Sequence, residues 1–442
     1  MDFRQIKEKI DSICKAKGLE EYKMVFSGSS GLSASATGRA ISDTSIEVSS
    51  ALTFTAVVNG RGGSSSTNIF GDEALEAMVD RAMDNGSFLE GKSKCYIFEG
   101  SPKYESIPEC SYKEPEMAQI VDKVLDIQNQ MLDADPRVQD GSDSTIFSEK
   151  RTICLANSKG LILENTSGST GYYQSAVVKE GEEVKLGMDI SVCDIDEIKL
   201  DNCVNEAIAK LGSGPTKTRK ASIVMSSDCM RMMLSAFSPI FFGRYATLGM
   251  SLLKNKEGQS IASPVVTLVD DPFEPSSPCP IQFDADGVAT YRKNIIEKGV
   301  LNTLLYNISS AEEAGKKTTG NSGPFLGAEG TSLFSFYLEA GDKTEDELYA
   351  LAGDDGICVK EMKGLHVGAN AATGDFSIEC AGFEIEGGKL GKSVTSFTIS
   401  GNFYEMLKNI EALSNEVEFS IPHGYTRLGS PCALIKDISI AG

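Results

Sequence analysis

The chain has 442 residues, of which 41% are hydrophobic and 24% are charged, and its formal net charge is −21. This length exceeds one ordinary hydrophobic core and indicates two or three domains, while the composition excludes a predominantly disordered protein. Because so acidic a surface repels phosphate backbones, direct nucleic-acid binding is not expected.

The N-terminus and the cysteines predict a cytoplasmic protein. The first residues lack the basic and apolar regions of a signal peptide, and no apolar run approaches the roughly 20 residues that cross a bilayer. The 11 cysteines form no CxxC pair. In a chain of this length they are typical of reduced thiols, mostly small core residues. A membrane segment is therefore not expected.

The first elements of the chain alternate between helical and strand patterns. An apolar stripe predicts a helix over residues 3–17. Residues 45–58 are then rich in β-branched residues, and the following Asn59-Gly60 is a strong hairpin signal. A second helical stripe covers residues 72–84. The sequence therefore predicts helices beside antiparallel strands.

A similar order of elements follows. It comprises a connector, a helix, a strand-rich region and a closing helix, at residues 96–115, 117–132, 137–193 and 198–211. Each half thus runs helix, antiparallel strands, helix, which suggests an internal echo of residues 1–90 in residues 116–212. Amphipathic helices over antiparallel strands predict an α+β layer, with the helices on one face of the sheet.

The clearest domain boundary is the run from Leu211 to Arg219, where Gly, Ser, Pro and charged residues coincide. It divides an N-terminal α+β region, residues 1–212, from a β-rich C-terminal domain, residues 221–442. Short strands are predicted in the second part at residues 221–225, 265–269, 300–306, 376–385, 393–399, 416–421 and 434–440. The predicted fold class is α+β.

Several phrases in the second half resemble one protein family. They are Thr267-Leu-Val-Asp-Asp-Pro272, Phe283-Asp-Ala-Asp-Gly-Val288, Thr318-Thr-Gly-Asn-Ser322, Gly364-Leu-His-Val-Gly-Ala-Asn370, Thr373-Gly-Asp-Phe-Ser377, Ile399-Ser-Gly-Asn-Phe403 and Ile438-Ser-Ile-Ala-Gly442. Their order and spacing are similar to the C-terminal domain of the TldD/PmbA proteins, a family to which modulation of DNA gyrase has also been ascribed.

This resemblance implies a relationship to zinc metallopeptidases. TldD-type members carry an HExxxH motif on a helix early in the C-terminal domain, and they pair with a PmbA-type subunit that lacks the motif. The resemblance further implies that the complex acts on peptides, including leader peptides and unfolded chains.

The zinc motif of that family is missing from this chain. A catalytic zinc needs about three protein ligands and an open position for water. The chain has two histidines, His366 and His423, and neither HExxH nor HExxxH. A metal site built on this motif is therefore not expected here.

The helix that corresponds to the motif lies at residues 227–238. In a rough alignment, Ser235 and Ala236 replace the first His and the Glu, and Ile240 replaces the second His. Because Pro239 has no N–H and clashes with the preceding turn, the helix should end before residue 240. The apolar stripe Met230, Met233, Leu234 and Phe237 predicts ordinary core packing.

These features predict a PmbA/TldE-like subunit without a metal or cofactor of its own. Zinc is expected only in a TldD-type partner, and strand addition is one way to hold an extended peptide. The alternative is a stand-alone homodimer that binds peptides or regulates a larger enzyme such as gyrase. An independent hydrolase with Ser322 or a cysteine as nucleophile ranks third, because no activating base is evident.

Four polar residues are candidates for lining the cavity that the resemblance implies, namely His366, Asn370, Asp375 and Asn321. For His366 the alternative is a turn histidine bonded to the backbone. The adjacent carboxylates Asp270 and Asp271 are interpreted as a strand end, because neighbouring residues on a strand point to opposite faces.

Overall fold

The computed structural model of the protein describes residues 2–88, 95–107, 110, 112–200, 202–323 and 330–442. Within these ranges the α-helices are α1 Phe3–Lys17, α2 Asp72–Phe88, α3 Met117–Ala134, α4 Cys203–Ala209, α5 Ser227–Phe237, α6 Gly243–Thr247, α7 Ile308–Ala314, α8 Glu345–Ala352, α9 Leu365–Gly368 and α10 Phe403–Asn409. Short 3₁₀ helices span Ile195–Glu197 and Ser238–Phe241.

The strands of the same ranges fall into two groups along the chain. The first group is β1 Tyr22–Thr37, β2 Ala40–Val58, β3 Arg61–Thr67, β4 Asp143–Asn157, β5 Ile162–Glu180 and β6 Glu183–Val192. The second group is β7 Arg219–Met225, β8 Leu268–Asp271, β9 Lys293–Glu297, β10 Val300–Leu301, β11 Ser322–Gly323, β12 Gly330–Thr331, β13 Ser335–Leu338, β14 Ile357–Lys363, β15 Asp375–Glu386, β16 Lys389–Asn402, β17 Ile410–Leu413, β18 Glu418–Phe419, β19 Arg427–Ser430 and β20 Ala433–Ala441.

The first group forms one antiparallel sheet in the order β3-β2-β1-β4-β5-β6. The helices α1 and α2 pack on one face of this sheet, at one of its ends, over Met24, Leu52 and Phe54. The helix α3 packs farther along the sheet, over Ala34 and Ile146. Helices on an antiparallel sheet are the predicted arrangement, and the α+β fold class is confirmed.

The other face of this sheet joins it to the second half of the chain. Val25, Ile153 and Leu155 share a buried apolar cluster with Phe283 and Phe334. Because these residues come from both halves, the N-terminal sheet and the second half of the chain share a part of the core.

The second group builds the C-terminal part around a sheet in the order β16-β15-β14-β7-β20-β17. β16 also pairs with β20, which closes five of these strands into a ring. A further sheet has the order β10-β9-β8-β13-β19-β18, and β11 pairs with β12. Phe237 of α5 and Phe403 of α10 lie in the largest apolar core, together with Met225 and Phe397.

Several predicted elements differ from the structure. The strand predicted over residues 416–421 is reduced to Glu418–Phe419, and the strand predicted over residues 265–269 lies at Leu268–Asp271. The helix predicted over residues 198–211 is shorter, because Ile198 is extended and the helical turns of α4 begin at Cys203. The strand predicted over residues 300–306 is reduced to Val300–Leu301. The apolar residues that follow are buried as irregular chain, so their hydrophobicity reports burial and not strand pairing.

Within the described ranges, none of the helices combines the length and the apolar character that crossing a bilayer requires. The cytoplasmic location stays a prediction.

Candidate functional site

The helix α5 occupies the place at which the family resemblance puts a zinc motif. Ser226 caps its N-terminus by accepting a hydrogen bond from the Cys229 N–H. The stripe predicted as core is buried, and the Phe237 ring stacks on Phe403 with centroids 4.4 Å apart and planes 6° apart. Core packing by this stripe is therefore confirmed, and it fixes α5 rigidly against α10.

The three motif positions carry no donor set for zinc. The helix ends at Phe237, and Pro239 lies in the 3₁₀ turn that follows, as predicted. Ser235 is exposed, Ala236 is half-buried, and the Ile240 side chain is buried completely in the core. A hydroxyl, a methyl group and a buried alkyl chain do not fit a tetrahedral site for zinc, which takes imidazole, thiolate or carboxylate ligands. Among the described residues, no group of three or more His, Cys, Asp or Glu side chains is placed to hold a metal ion.

His366 lies beside α5 on an exposed short helix. Gly364, with a φ of 73°, begins this turn, and α9 packs against α5. The His366 side chain is exposed, and no hydrogen bond to its imidazole is found in the described part of the chain. The structure thus presents one accessible imidazole near the surface of α5.

Asn370 and Asp375 follow in a tight turn that they stabilise themselves. The Asn370 carboxamide oxygen accepts from the N–H groups of Ala372 at 3.1 Å and Thr373 at 3.3 Å. Its own N–H donates to the Asp375 carbonyl at 2.9 Å. These are the bonds of a side chain that closes its own turn, which explains the residue without any chemistry.

Asp375 is held by Asn402, the residue that caps α10. The Asn402 amide donates to the Asp375 carboxylate and to the Thr373 carbonyl, both at 2.9 Å. Its oxygen accepts from the Tyr404 N–H at 3.1 Å, so Asn402 is the N-cap of α10. The bonds from Asn402 and Thr373 hold the pKa of Asp375 below its ordinary value. Asp375 is therefore an ionised turn residue beside α10.

An exposed apolar segment adjoins the end of α5. Leu248, Met250 and Leu252 are large apolar side chains that remain exposed. Between them, the Ser251 hydroxyl donates to the Ile240 carbonyl at 2.6 Å, and the Leu252 N–H donates to the Tyr404 hydroxyl at 3.2 Å. These bonds anchor the segment, here termed the apolar rim, between Ile240 and α10.

Asn321 belongs to a different, buried network. Its amide donates to the Asp270 carboxylate at 2.8 Å and to the Ser332 carbonyl at 2.9 Å. Its oxygen accepts from Lys293 at 3.0 Å and from the Thr319 hydroxyl at 2.8 Å. Within the described residues, Asn321 shares no hydrogen-bonding partner with the turn of Asn370 and Asp375. The structure thus brings three of the four candidates near α5 and places the fourth in the core.

Lys293 is the charged centre of this network, and the sequence analysis did not find it. Its ammonium group lies 3.2 Å from the Asp270 carboxylate and 4.7 Å from the centre of the Tyr291 ring. Burial lowers the pKa of Lys293, and the charge of Asp270 opposes that effect. Asp271 instead faces Arg292 at 3.4 Å, so the adjacent carboxylates point apart as predicted.

Asp284 is a second buried carboxylate, and it lies close to Lys293 in the sequence. It accepts from the N–H groups of Asp286 and Val288 at 2.9 Å and of Ser322 at 2.8 Å. Desolvation, followed by the charge of Asp286, raises the pKa of Asp284 to about 7. Ser322 is itself buried, and no imidazole bonds to it within the described ranges.

Stability should reflect the titration of Asp284. Between about pH 4 and pH 7 the folded state keeps a proton that the unfolded chain has lost, so stability falls as pH rises, by at most about 1.4 kcal/mol per unit. Asp284→Asn removes this slope, so the free energy of unfolding of the wild type minus that of the variant should fall from pH 5 to pH 8. Urea unfolding at each pH measures it. A constant difference would contradict the raised pKa, and Asp342→Asn, at a position 87% exposed, is the control.

Comparisons with known proteins show which family shares this architecture. Residues 218–442 match a family model described as the PmbA/TldA metallopeptidase C-terminal domain, and residues 111–213 match the central domain of the same proteins. A relative from Escherichia coli O157:H7, named Metalloprotease PmbA, is 22% identical over 97% of this chain and 93% of its own. A PmbA homolog from Buchnera aphidicola is 26% identical over 70% of this chain and 67% of its own.

Solved structures share the fold over nearly the whole chain. TldE from Thermococcus kodakarensis has a TM-score of 0.89 and 22% identity, covering 98% of this chain and 100% of its own. A protein from Thermotoga maritima has the same TM-score with 23% identity and full coverage of both chains. The fold and the matched domains thus define a chain of the PmbA/TldA metallopeptidase architecture. The chain belongs to the PmbA/TldD family.

Proposed function

We propose that this chain is a non-catalytic, PmbA/TldE-like subunit of a TldD/PmbA-type metallopeptidase complex that acts in proteolysis or peptide processing. The observation that carries the proposal is the side-chain set at the motif helix. Ser235 and Ala236 offer no metal ligand, and Ile240 is sealed in the core. Zinc and the water that it activates would therefore belong to a TldD-type partner.

The apolar rim supports a binding role beside that helix. Leu248, Met250 and Leu252 expose apolar surface although their backbone is anchored. Apolar side chains on a fixed backbone cost little ordering entropy when they meet a partner or an extended peptide. In this proposal the rim and the exposed His366 contribute to the wall of a chamber whose chemistry the partner performs.

The names of the relatives are compatible with a non-catalytic subunit that works beside a catalytic one. The Thermococcus kodakarensis neighbour is a TldE, and the Escherichia coli relative is named a metalloprotease. Under the proposal, peptidase activity is a property of the pair of subunits, and a chain of this type is required without supplying the metal ligands.

Purification with and without a TldD-type subunit tests the proposal. We expect a stable hetero-oligomer in size-exclusion chromatography and chelator-sensitive peptidase activity of the mixture. Replacing the motif Glu of the partner by Gln should lower that activity by about 10² to 10⁴-fold, the usual contribution of a general base. Ser235→Ala in this chain should leave the activity within about twofold, because this side chain binds no metal in our proposal.

Two outcomes would refute this role. One is the absence of association at micromolar concentrations of both subunits. The other is chelator-sensitive peptidase activity of this chain alone, together with one tightly held zinc per chain. Peptide binding by this chain without any partner would instead favour the stand-alone protein considered above.

A further inference from the structure

A cavity of about 220 Å³ lies where the two halves of the chain meet. One side of it is formed by β6 and by the chain that follows α4, and the other side by the neighbouring strands β14, β15 and β16. Junctions between domains are common places for small ligands to bind. Because the volume is below the roughly 300–1,000 Å³ of sites for drug-sized molecules, a ligand here would be about as large as one amino acid.

The cavity has apolar walls on both sides. Val184 and Leu186 of β6 are 54% and 50% exposed, and Phe383 and Val394 line the cavity from the C-terminal strands. A Cβ atom at Gly187 would lie 1.9 Å from a carbonyl oxygen of α4, so that side of β6 faces α4, and Leu186 points to the opposite side. These walls suit a ligand with an apolar body.

Four lysines line the same cavity, namely Lys185, Lys210, Lys360 and Lys363. Two of them are neutralised by carboxylates. Lys185 pairs with Glu183 at 3.0 Å. Lys210 pairs with Glu206 at 2.7 Å and with Glu361 at 2.5 Å, and it also donates to a backbone carbonyl of β6 at 2.7 Å. Since an ammonium group has three N–H donors, Lys210 has none left for a ligand.

Lys360 and Lys363 retain donors for an anion. The Lys360 ammonium lies 3.7 Å from the Glu345 carboxylate, which is too far for a hydrogen bond. Lys363 forms no ion pair with any residue that the structure describes, although Glu379 lies opposite it in the ladder of β14 and β15. The Lys360 side chain is only 30% exposed, so its charge has lost part of its water without gaining a hydrogen bond. An anionic ligand would supply the missing acceptor.

A bulge in β14 brings these two lysines to one cavity. In a regular strand, residues three positions apart point to opposite faces. The register of β14 with β15 shifts between Val359 and Glu361, so Lys360 is an extra residue. Bulges re-aim side chains and are frequent beside functional sites. The strand thus departs from regular pairing at the position that directs both ammonium groups to the cavity.

We propose that this cavity binds a small carboxylate with an apolar body of amino-acid size. Its carboxylate would lie between the ammonium groups of Lys360 and Lys363, and its apolar body would lie against Leu186 and Phe383. The apolar walls favour such a ligand over inorganic phosphate, and the volume is too small for a nucleotide. The site belongs to this chain and is independent of the proposed subunit role.

Titration of the purified chain with 3-phenylpropanoate, followed by ligand-observed NMR, tests the site. Binding to the wild type should saturate with a Kd of about 1 mM, the order that a ligand of this size reaches. The amide 3-phenylpropanamide lacks the charge, and acetate lacks the apolar body. Each should bind at least about tenfold more weakly. Inorganic phosphate at about ten times the Kd should not displace the ligand.

Two substitutions separate the contribution of charge from that of the apolar wall. Lys363→Met should weaken 3-phenylpropanoate by about tenfold and leave the binding of the amide unchanged. Leu186→Ser should weaken both compounds by about threefold or more and leave acetate unchanged. Lys389→Met removes an exposed lysine that does not line the cavity, and it should change nothing. All three positions are exposed, so the circular dichroism spectra should match that of the wild type.

Four results would each overturn the proposal. They are a wild type without saturable binding at about ten times the expected Kd, an amide that binds as tightly as the carboxylate, displacement by phosphate, and equal effects of Lys363→Met and Lys389→Met in variants with unchanged spectra. The titrations use this chain alone and no peptide. Their outcome is therefore separate from that of the mixing experiment with a TldD-type subunit.

Discussion

Lys293→Met should destabilise the C-terminal part of the protein by about 3–5 kcal/mol, the usual effect of removing one partner of a buried ion pair. The ammonium group lies 3.2 Å from Asp270, and both side chains are buried. Without Lys293, the Asp270 carboxylate keeps the Asn321 amide and the Phe334 N–H, at 2.8 and 2.7 Å. These neutral donors do not replace a full charge.

Urea unfolding followed by circular dichroism measures this destabilisation, since the chain has no tryptophan. The double variant Lys293→Met, Asp270→Asn removes both charges and should regain at least about 1–2 kcal/mol relative to the single variant. Glu339→Gln, which disrupts a half-exposed pair with Arg292, should cost less than about 1 kcal/mol. Equal effects of Lys293→Met and Glu339→Gln would show that the buried pair has no special importance.

This network also shows where the sequence was informative and where it was not. Amphipathic periodicity predicted α1, α2 and α3, because their apolar stripes repeat locally and each helix needs one buried face. Nothing local marks Lys293, which looks like one of many lysines. Its burial depends on Asp270 and Asn321, 23 and 28 residues away along the chain, so only the tertiary structure identifies it.

The candidate residues near α5 illustrate the same limit. His366 was expected either to line a cavity or to lie in a turn bonded to the backbone, and a turn that begins at Gly364 is present. The sequence made Asn370 and Asp375 candidates for lining a cavity, and only the structure shows that their side chains bond to the turn and to Asn402. The apolar rim was missed, because residues 248–252 belong to no helix or strand whose period would reveal it.

Ile240→His should be the most damaging single step in any attempt to rebuild the zinc motif. The Ile240 side chain is fully buried among apolar residues. Its replacement loses packing worth about 2–5 kcal/mol and buries an imidazole without a partner, at a further cost of about 1–3 kcal/mol. Ser235→His alone should stay within about 0.5 kcal/mol, because position 235 is exposed.

The triple variant Ser235→His, Ala236→Glu, Ile240→His should therefore be unstable and hold no stoichiometric zinc. A zinc site needs its ligands on one accessible face at ligand distance, but Pro239 ends the helix before residue 240 and the following turn points inward. Metal analysis after dialysis, together with thermal unfolding, measures both properties. A folded variant with one zinc per chain would show that the replacement of the ligand side chains alone explains the lack of a zinc site. The expected failure would show instead that the backbone after Phe237 has also lost the geometry of a metal-binding helix.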